Sequence, residues 1–338
     1  MRPDSPRLSH RFSSWMLLVQ ALVLAALAAQ CSPLSAQTSA ASPAPTIYRL
    51  NKTSTYRHGC FAPCMCPVME SGSERGTFTL SFVGYDGLFS VYRIRDVSWI
   101  VTAPSGEIQV TGSGTYRVGG EFAIQQRLEM DLQVGTNPVD HYDSGLIAGG
   151  GDFPRINLTI SIHGQYCFDT VFGVDASPVP EPEVVRYRLQ PGSTFQRGCY
   201  NMCDCAIGAL LPMRGGFALV PLKVDPLFTE YSVVSVDWRV GADPTAASSA
   251  ELPITGFGDY KVGGEFAVQQ QMTATLTVGT ESPALYDSGL VSGGGNFPTI
   301  DIAIINGANS CVQTTLTLHA KPWKPHSMSA SPMTESQN

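Results

Sequence analysis

The sequence predicts an all-β protein with two tandem homologous antiparallel domains, each a β-sandwich or a small β-barrel stapled by disulfides. Three observations predict this fold: apolar residues alternate with polar ones, long motifs occur twice, and the cysteines recur in one pattern in both halves. Alternation with a period of two places one face of a strand in the core and the other in water, which is typical of antiparallel sheets.

The alternation also predicts an irregularity. Residues 127–134 and 271–278 each alternate four apolar side chains with polar ones. Near Trp99 the alternation shifts by one residue, and it shifts at the corresponding place near Trp238. Because an extra residue in a strand moves all following side chains to the other face, the shift predicts a β-bulge in each copy.

Internal repetition sets the domain organisation. The tripeptide Tyr-Arg-Leu at 48–50 recurs at 187–189, an offset of 139 residues. The motif Tyr-Arg-Val-Gly-Gly-Glu-Phe-Ala-Ile-Gln-Gln at 116–126 recurs at 260–270 with two conservative changes and an offset of 144. A single insertion of five residues explains the difference, so the sequence predicts a duplicated domain.

The repeats predict a β domain at residues 46–175 and a second one at 184–320. Residues 176–183 have closely spaced prolines, which predict an extended, semi-rigid linker. Residues 321–338 are rich in Pro, Ser and Met without an apolar period, and are predicted to form a disordered tail.

Residues 1–36 predict a signal peptide, because three arginines precede a short apolar run and small residues follow it. No stretch supplies the roughly 20 apolar residues of a comfortable membrane span, so the mature chain is predicted not to span a membrane. The predicted location is secreted, periplasmic or at the cell envelope. Cys31 suggests a lipid anchor as an alternative, but Gln30 stands where a small residue is expected, which favours cleavage near Ala36.

Composition excludes several classes of protein. Only 14% of the 338 residues are charged, which argues against a coiled coil and against a disordered acidic chain. The formal net charge of −7 argues against a nucleic-acid partner.

The cysteines predict a disulfide framework, because each copy has an even number of them in an exported chain. Each copy begins with a C-x3-C-x-C hook and has a fourth cysteine about a hundred residues later. A bond between the two hook cysteines that flank one residue would be strained, and either remaining pairing joins the late cysteine to the hook. A four-thiolate metal site or a thiol-redox function is the alternative, although zinc knuckles usually come as two separate pairs. The eight predicted disulfide cysteines are Cys60, Cys64, Cys66, Cys167, Cys199, Cys203, Cys205 and Cys311.

An Asp-Ser-Gly motif in each copy, at Asp143 and Asp287, resembles the motif that bilobal aspartic proteases contribute from each lobe. The resemblance implies two carboxylates that share a proton and act on water. Here the motif comes late in each copy, which favours a turn whose aspartate bonds its own backbone while glycine takes a positive φ.

Other repeated residues predict structure rather than chemistry. No histidine occupies the same position in both copies, so no Cys–His or Ser–His pair common to both is predicted. The triple glycines at 149–151 and 293–295 lack the Lys-Ser/Thr and the helix of a phosphate-binding loop. No cofactor and no metal is predicted. The shared large residues are predicted to fill the core, or alternatively to form an exposed aromatic surface; in the first copy they are Tyr48, Trp99, Tyr116 and Tyr142.

Together these motifs resemble those of exported bacterial tandem-repeat β proteins of unknown function, over nearly the whole mature chain. The resemblance implies export and an all-β class, and it implies no activity. The sequence predicts a non-enzymatic exported protein with a binding or structural role at the cell envelope or exterior, and it does not identify the ligand. A metal-binding or thiol-redox protein is the first alternative, and an aspartic-type hydrolase the second.

Overall fold

The computed structural model describes residues 44–149, 151–199, 206–241, 251–293, 296–307 and 311–323. Within these ranges the regular structure consists of strands and one 3-10 turn, Glu181–Glu183. All the strand pairs are antiparallel and fall into two similar sheets. The prediction of two tandem, disulfide-stapled, antiparallel β domains is confirmed.

The first copy contributes ten of the described strands. They are β1 (Thr46–Leu50), β2 (Thr55–Cys60), β3 (Met69–Tyr85), β4 (Phe89–Ala103), β5 (Gly106–Gly119), β6 (Gln125–Val134), β7 (Val139–Asp143), β8 (Ile147–Ala148), β9 (Ile156–Ser161) and β10 (Phe168–Pro178). The second copy repeats the order. Its described strands are β11 (Val185–Leu189), β12 (Thr194–Cys199), β13 (Leu211–Val224), β14 (Phe228–Val240), β15 (Leu252–Gly263), β16 (Gln269–Val278), β17 (Ala284–Asp287), β18 (Val291–Ser292), β19 (Ile300–Asn306) and β20 (Val312–Pro322).

The pairing of the strands decides between the two predicted architectures. In the first copy the neighbours run from β2 through β3, β4, β5, β6 and β7 to β9, and β10 then pairs with both β9 and β2. The ring of eight strands is therefore closed, which makes the copy a small barrel. β1 pairs with β3 and β10, and the two-residue β8 pairs with β6. The second copy closes in the same way through β13, β12, β20, β19, β17, β16, β15 and β14.

The interior of each barrel is filled by the inward-facing half of each alternating strand. Trp99 and Trp238 are completely buried at equivalent positions. A closed ring buries one face of every strand, so large aromatic side chains can meet at its centre. The prediction that the shared large residues fill the core is confirmed, because all eight are at most 2% exposed: Tyr48, Trp99, Tyr116, Tyr142, Tyr187, Trp238, Tyr260 and Tyr286.

Both predicted β-bulges are present. The pairing of β4 with β5 jumps from Ile94 to Val97, and that of β14 with β15 jumps from Val233 to Val236. Asp96 and Ser235 each have a φ of 55° at these points. Because each bulge shifts the alternation of its strand by one residue, the tryptophan that follows it faces the interior of the barrel.

The ends of the copies differ somewhat from the predicted linker and tail. β10 extends to Pro178, three residues into the predicted linker, because residues 176–178 pair with β1. β20 extends to Pro322, where it pairs with β11. The predicted signal peptide, with Cys31, lies outside the described residues, and so do residues 324–338 of the predicted tail. Among the residues that the structure describes, no helix has the length and apolar character needed to cross a membrane.

The two barrels belong to one compact unit and contact each other directly. Arg75 Nε donates to Glu230 Oε2 at 2.8 Å, and the Thr77 and Ser232 hydroxyls are 2.6 Å apart. Arg49 Nη1 binds Glu183 Oε2 at 2.6 Å. An apolar cluster lies beside these bonds and consists of Ile47, Val179, Val184, Ala218, Val220 and Val234. The outer face of β1 and β3 in the first barrel thus packs on the outer face of β13 and β14 in the second.

Candidate functional site

The cysteine hook of the first copy is oxidised. Cys60 is bonded to Cys66 and Cys64 to Cys167, with Cα atoms 5.7 Å and 4.8 Å apart respectively. The second bond ties the start of β10 to the hook that follows β2. Disulfides persist in oxidising compartments, so these bonds indicate an environment other than the cytoplasm.

In the second copy, Cys199 and Cys311 are also disulfide-bonded. Cys203 and Cys205, which the sequence groups with them, lie outside the described residues. Across the described ranges, no group of three or more His, Cys, Asp or Glu side chains is arranged to hold a metal ion. Those hook thiols that the structure describes are therefore engaged in covalent bonds.

The two Asp-Ser-Gly motifs form turns. Gly145 N–H donates to Asp143 Oδ1 at 2.8 Å, and Gly289 N–H donates to Asp287 Oδ1 at 2.9 Å. Both glycines have positive φ, 66° and 62°. This is the Asx turn that the sequence favoured over the protease motif.

The carboxylates of the two motifs have separate partners, each within its own barrel. Arg127 binds both oxygens of Asp143, at 3.1 and 2.7 Å, and holds the pKa of that carboxyl below its usual range. Asp287 instead accepts from Gln271 and Thr273. None of the hydrogen bonds of these two described residues joins one aspartate to the other, so the structure does not bring them together as a proton-sharing pair.

Most of the long repeated motif has a structural role. Tyr116 O–H donates to Gln126 Oε1 at 2.6 Å, and Gln126 Nε2 donates to the carbonyls of Gly149 and Gly151. The second copy repeats this arrangement with Tyr260, Gln270 and Gly293. The buried glutamine therefore fixes the glycine-rich loop over the end of the barrel, which explains why the tyrosine, glutamine and glycines recur together.

The phenylalanine of the same motif has no such role. Phe122 and Phe266 are each 94% exposed, although they occupy equivalent positions in the two barrels. Three other apolar residues at the same end of each barrel are also exposed in both copies. We call these groups the first tip (Leu88, Phe122, Ile124 and Leu146) and the second tip (Leu227, Phe266, Val268 and Leu290).

Close backbone contacts build each tip. The loop that carries Phe122 leaves β5 through Gly119 and Gly120, and a Cβ on Gly119 would lie 2.2 Å from the Leu88 carbonyl oxygen. Gly120 N–H donates to that same carbonyl, and Gly149 N–H donates to Ile124 O. Three neighbouring loops are thus hydrogen-bonded together, and only glycine fits where they approach most closely.

The turn that carries Leu88 is fixed by an aspartate. Asp86 Oδ1 accepts from the N–H groups of Leu88 and Phe89, at 3.1 and 2.8 Å. Asp225 makes the same two bonds to Leu227 and Phe228 in the second copy. These backbone donors lower the pKa of both carboxyls, because they favour the ionised form.

An exposed acidic residue adjoins the aromatic ring of each tip. Glu121 and Glu265 immediately precede the two phenylalanines, and both are exposed. Each tip therefore presents an aromatic ring beside a carboxylate on a hydrogen-bonded loop. Such a surface can bind an apolar recess that has a basic rim, and its hydrogen-bonded loops lose little entropy when they do so.

Comparisons with known proteins found no relative of this chain. No family model matches the chain, and no match was found among curated proteins or among solved structures.

The tips are the residues that sequence reasoning missed. The sequence identified the motif that contains Phe122 and Phe266 as a repeat, but it did not predict that these rings are exposed. The sequence did contain a signal for these exposed rings. A large apolar residue follows Gly-Gly-Glu in both copies, within a turn where such residues are unusual.

Proposed function

We propose that the chain is an exported, non-enzymatic binding protein of the cell envelope or exterior, which holds a protein partner through its two apolar tips. The observation that carries this proposal is the equal exposure of Phe122 and Phe266, at 94% each, on loops of the same construction. In this proposal the barrels and disulfides form the rigid support for the tips.

The tips differ from ordinary surface apolar residues because several exposed apolar side chains lie on adjoining loops and the whole group recurs in both barrels. Single exposed apolar side chains are normal on any protein and need no explanation. Here four equivalent positions are apolar and exposed in both copies, on three loops that hydrogen bonds hold side by side. Two copies that differ at many other surface positions have kept the same exposed group, which supports a shared binding role.

The neighbouring carboxylates favour a protein over a lipid surface. Glu121 and Glu265 stand next to the aromatic rings, and transfer of a carboxylate into a bilayer is costly. The chain is also acidic overall, with a net charge of −7, so an anionic membrane would repel it. A protein recess with a basic rim satisfies both the ring and the carboxylate.

Site-specific photo-crosslinking of the full chain tests the proposal. A photoreactive phenylalanine analogue is placed at Phe122 or Phe266, in cells that naturally export the protein, and at Tyr166 as a control that is 60% exposed outside the tips. We expect the same polypeptide adduct from positions 122 and 266 and none from 166. A second substitution in the same tip, Ile124→Asp or Val268→Asp, should abolish the adduct at that tip.

Three outcomes would overturn the proposal: no adduct at the tips, adducts to lipid alone, or an adduct that is equally strong at Tyr166. Flotation with neutral and anionic vesicles is run in parallel, because vesicle binding that requires Phe122 would assign the tips to a membrane.

A further inference from the structure

A cleft of about 510 Å³ lies on the outer face of the second barrel, away from the tips. We call it the arginine cleft; its lining includes Arg186, Arg188, Arg214, Gly216 and Trp323, and also Asp237, whose carboxylate is paired with Arg239 at 3.3 Å. Its volume falls in the range of small-ligand and peptide sites. Gly216 forms part of its floor, since a Cβ there would lie 2.6 Å from the Tyr187 carbonyl oxygen.

Arg188 is the cation of the cleft that has no acidic partner. Its guanidinium lies 4.5 Å from the centre of the Trp323 ring, and it forms no ion pair with any residue that the structure describes. Stacking on an indole holds a guanidinium by its face and leaves the N–H groups at its edge available. Arg188 is therefore oriented and able to bind a carboxylate in two-point fashion.

The first barrel shows what this surface binds when it is occupied. Arg49 is the equivalent of Arg188, and it holds the carboxylate of Glu183 at 2.6 Å and the Pro221 carbonyl at 3.1 Å. Arg75 is the equivalent of Arg214, and it holds Glu230 at 2.8 Å. Both cations of the first copy thus bind acidic groups from the linker and the second barrel.

The ion pair that Arg214 already forms does not prevent it from binding a second carboxylate. Arg214 binds both oxygens of Glu251 through Nη2. Arg75 Nη2 donates to one oxygen of Glu107, the equivalent of Glu251, and Arg75 Nε still donates to Glu230. Arg214 can accordingly receive a second carboxylate, as its counterpart does.

A second copy of this chain does not suit the arginine cleft, because it would bring positive charges to it. The surface that contacts Arg75 and Thr77 presents Glu230, Ser232 and Val234. At the equivalent positions the first barrel has Val91, Arg93 and Arg95. Two arginines there would face the arginines of the cleft, so like charges oppose a head-to-tail repetition of the internal contact.

We propose that the arginine cleft binds an acidic, proline-containing peptide segment of a partner protein, with carboxylates on Arg188 and Arg214. The linker supplies the pattern for such a segment. In its Glu-Pro-Glu turn, Glu183 binds Arg49 while Glu181 binds Arg186 at 2.7 Å. In such a segment, carboxylates two residues apart bind cations on two different strands, and the prolines reduce the entropy that is lost when the segment is ordered.

The test uses the full mature chain and a dye-labelled peptide with the linker sequence Ser-Pro-Val-Pro-Glu-Pro-Glu-Val (177–184), followed by fluorescence polarisation. We expect saturable binding that weakens about tenfold in Arg188→Ala, the loss of one charge-assisted pair. Arg93→Ala, which removes an exposed arginine outside the cleft, should leave binding unchanged. A peptide with both glutamates replaced by glutamine should also bind about tenfold more weakly.

Trp323 provides a second measurement. It is 37% exposed, while Trp99 and Trp238 are completely buried, so acrylamide quenching reports mainly on Trp323. Peptide binding should protect it from quenching in the parent chain and in Arg93→Ala. Circular dichroism verifies that Arg188→Ala is folded, as expected for an exposed side chain.

The proposal is overturned if the peptide does not bind, if its glutamine version binds equally well, or if Arg188→Ala has no effect. It is also overturned if a polyuronate oligosaccharide binds in an Arg188-dependent way while the peptide does not, since the occupant would then be a glycan. Because the tips are separate from the cleft, these results leave the proposed function of the tips untouched.

Discussion

The carboxyl group of Glu74 occupies, in the first barrel, the position that the thioether of Met213 occupies in the second. Glu74 pairs with Val101 and Met213 with Val240, so the two side chains enter equivalent places in the two cores. Glu74 is only 4% exposed, and neither of its carboxylate oxygens has a hydrogen-bond partner. Burial without a partner raises the pKa of Glu74 well above its usual range.

We predict that Glu74→Met stabilises the first barrel. A carboxyl whose pKa is raised by folding contributes its full stability only below the unfolded pKa of about 4.3, and loses it as the pH rises through the folded pKa. The variant should therefore gain about 1–3 kcal/mol in unfolding free energy at pH 8, and less at pH 5. Urea unfolding of both proteins at the two pH values measures this difference.

Glu74→Gln serves as the matched control, because it removes the charge but keeps a buried polar group without a partner. It should lose the pH dependence while gaining less stability than Glu74→Met. Equal unfolding free energies for the parent chain and Glu74→Met at pH 8 would contradict the prediction.

We predict that the contact between the barrels weakens as the pH rises through about 7. Asp259 Oδ2 accepts from Ser98 and Gln109 across the contact at 3.4 Å each, while its Oδ1 is buried without a partner. Desolvation, opposed by these bonds and by nearby Arg75, raises the pKa of Asp259 to about 7. Its contribution to stability is complete below the unfolded pKa of about 3.9 and is lost as the folded group ionises.

Hydrogen exchange of the segments around Thr77 and Ser232, corrected for intrinsic rates, measures the strength of this contact. Protection should fall by about 2 kcal/mol between pH 5 and pH 8. Asp259→Asn should show little change, because it cannot ionise. An equal fall in Asp259→Asn would assign the effect to other groups.

We predict that the two first-copy disulfides differ in their contribution to stability. The Cys64–Cys167 bond closes a loop of sequence separation 103, and the Cys60–Cys66 bond one of separation 6. In the chain-entropy model, removal of the bond that closes the longer loop lowers the unfolding free energy by about 5 kcal/mol, and removal of the bond that closes the shorter loop lowers it by about 2 kcal/mol. Urea unfolding of the two double Cys→Ser variants tests the order, and a larger loss in Cys60→Ser/Cys66→Ser would reverse it.

The fold was predictable from the sequence because its main signals are local and occur twice. A period of two fixes the strands, and the phase shift before Trp99 locates the bulge at Asp96. Closure into a barrel was not predictable, because it depends on β10 pairing with β9 on one side and β2 on the other. The strands that pair to close the ring are distant in sequence. The alternation of apolar and polar residues is the same in a sandwich as in a barrel, so it does not reveal the closure.

The candidate sites were harder to predict, because they depend on exceptions to the pattern. Phe122 follows a glycine pair, and only the structure shows that its ring is left in solvent. The ion pair of Arg75 with Glu230 joins residues from different copies, and comparison of the copies in sequence cannot indicate such contacts. The role of Arg188 depends on its equivalent, Arg49, which binds Glu183 of the linker, and this contact cannot be read from the sequence.

We predict that the disulfides of the second copy repeat those of the first. Cys199 and Cys311 are both bonded, and the offsets of 139 and 144 make them equivalent to Cys60 and Cys167. Their predicted partners are therefore Cys205 and Cys203 respectively. Four bonds in the mature chain should lower its intact mass by about eight hydrogens relative to the reduced form. Peptide mapping without reductant should find Cys199 linked to Cys205, and a link between Cys199 and Cys203 would show that the two hooks are connected differently.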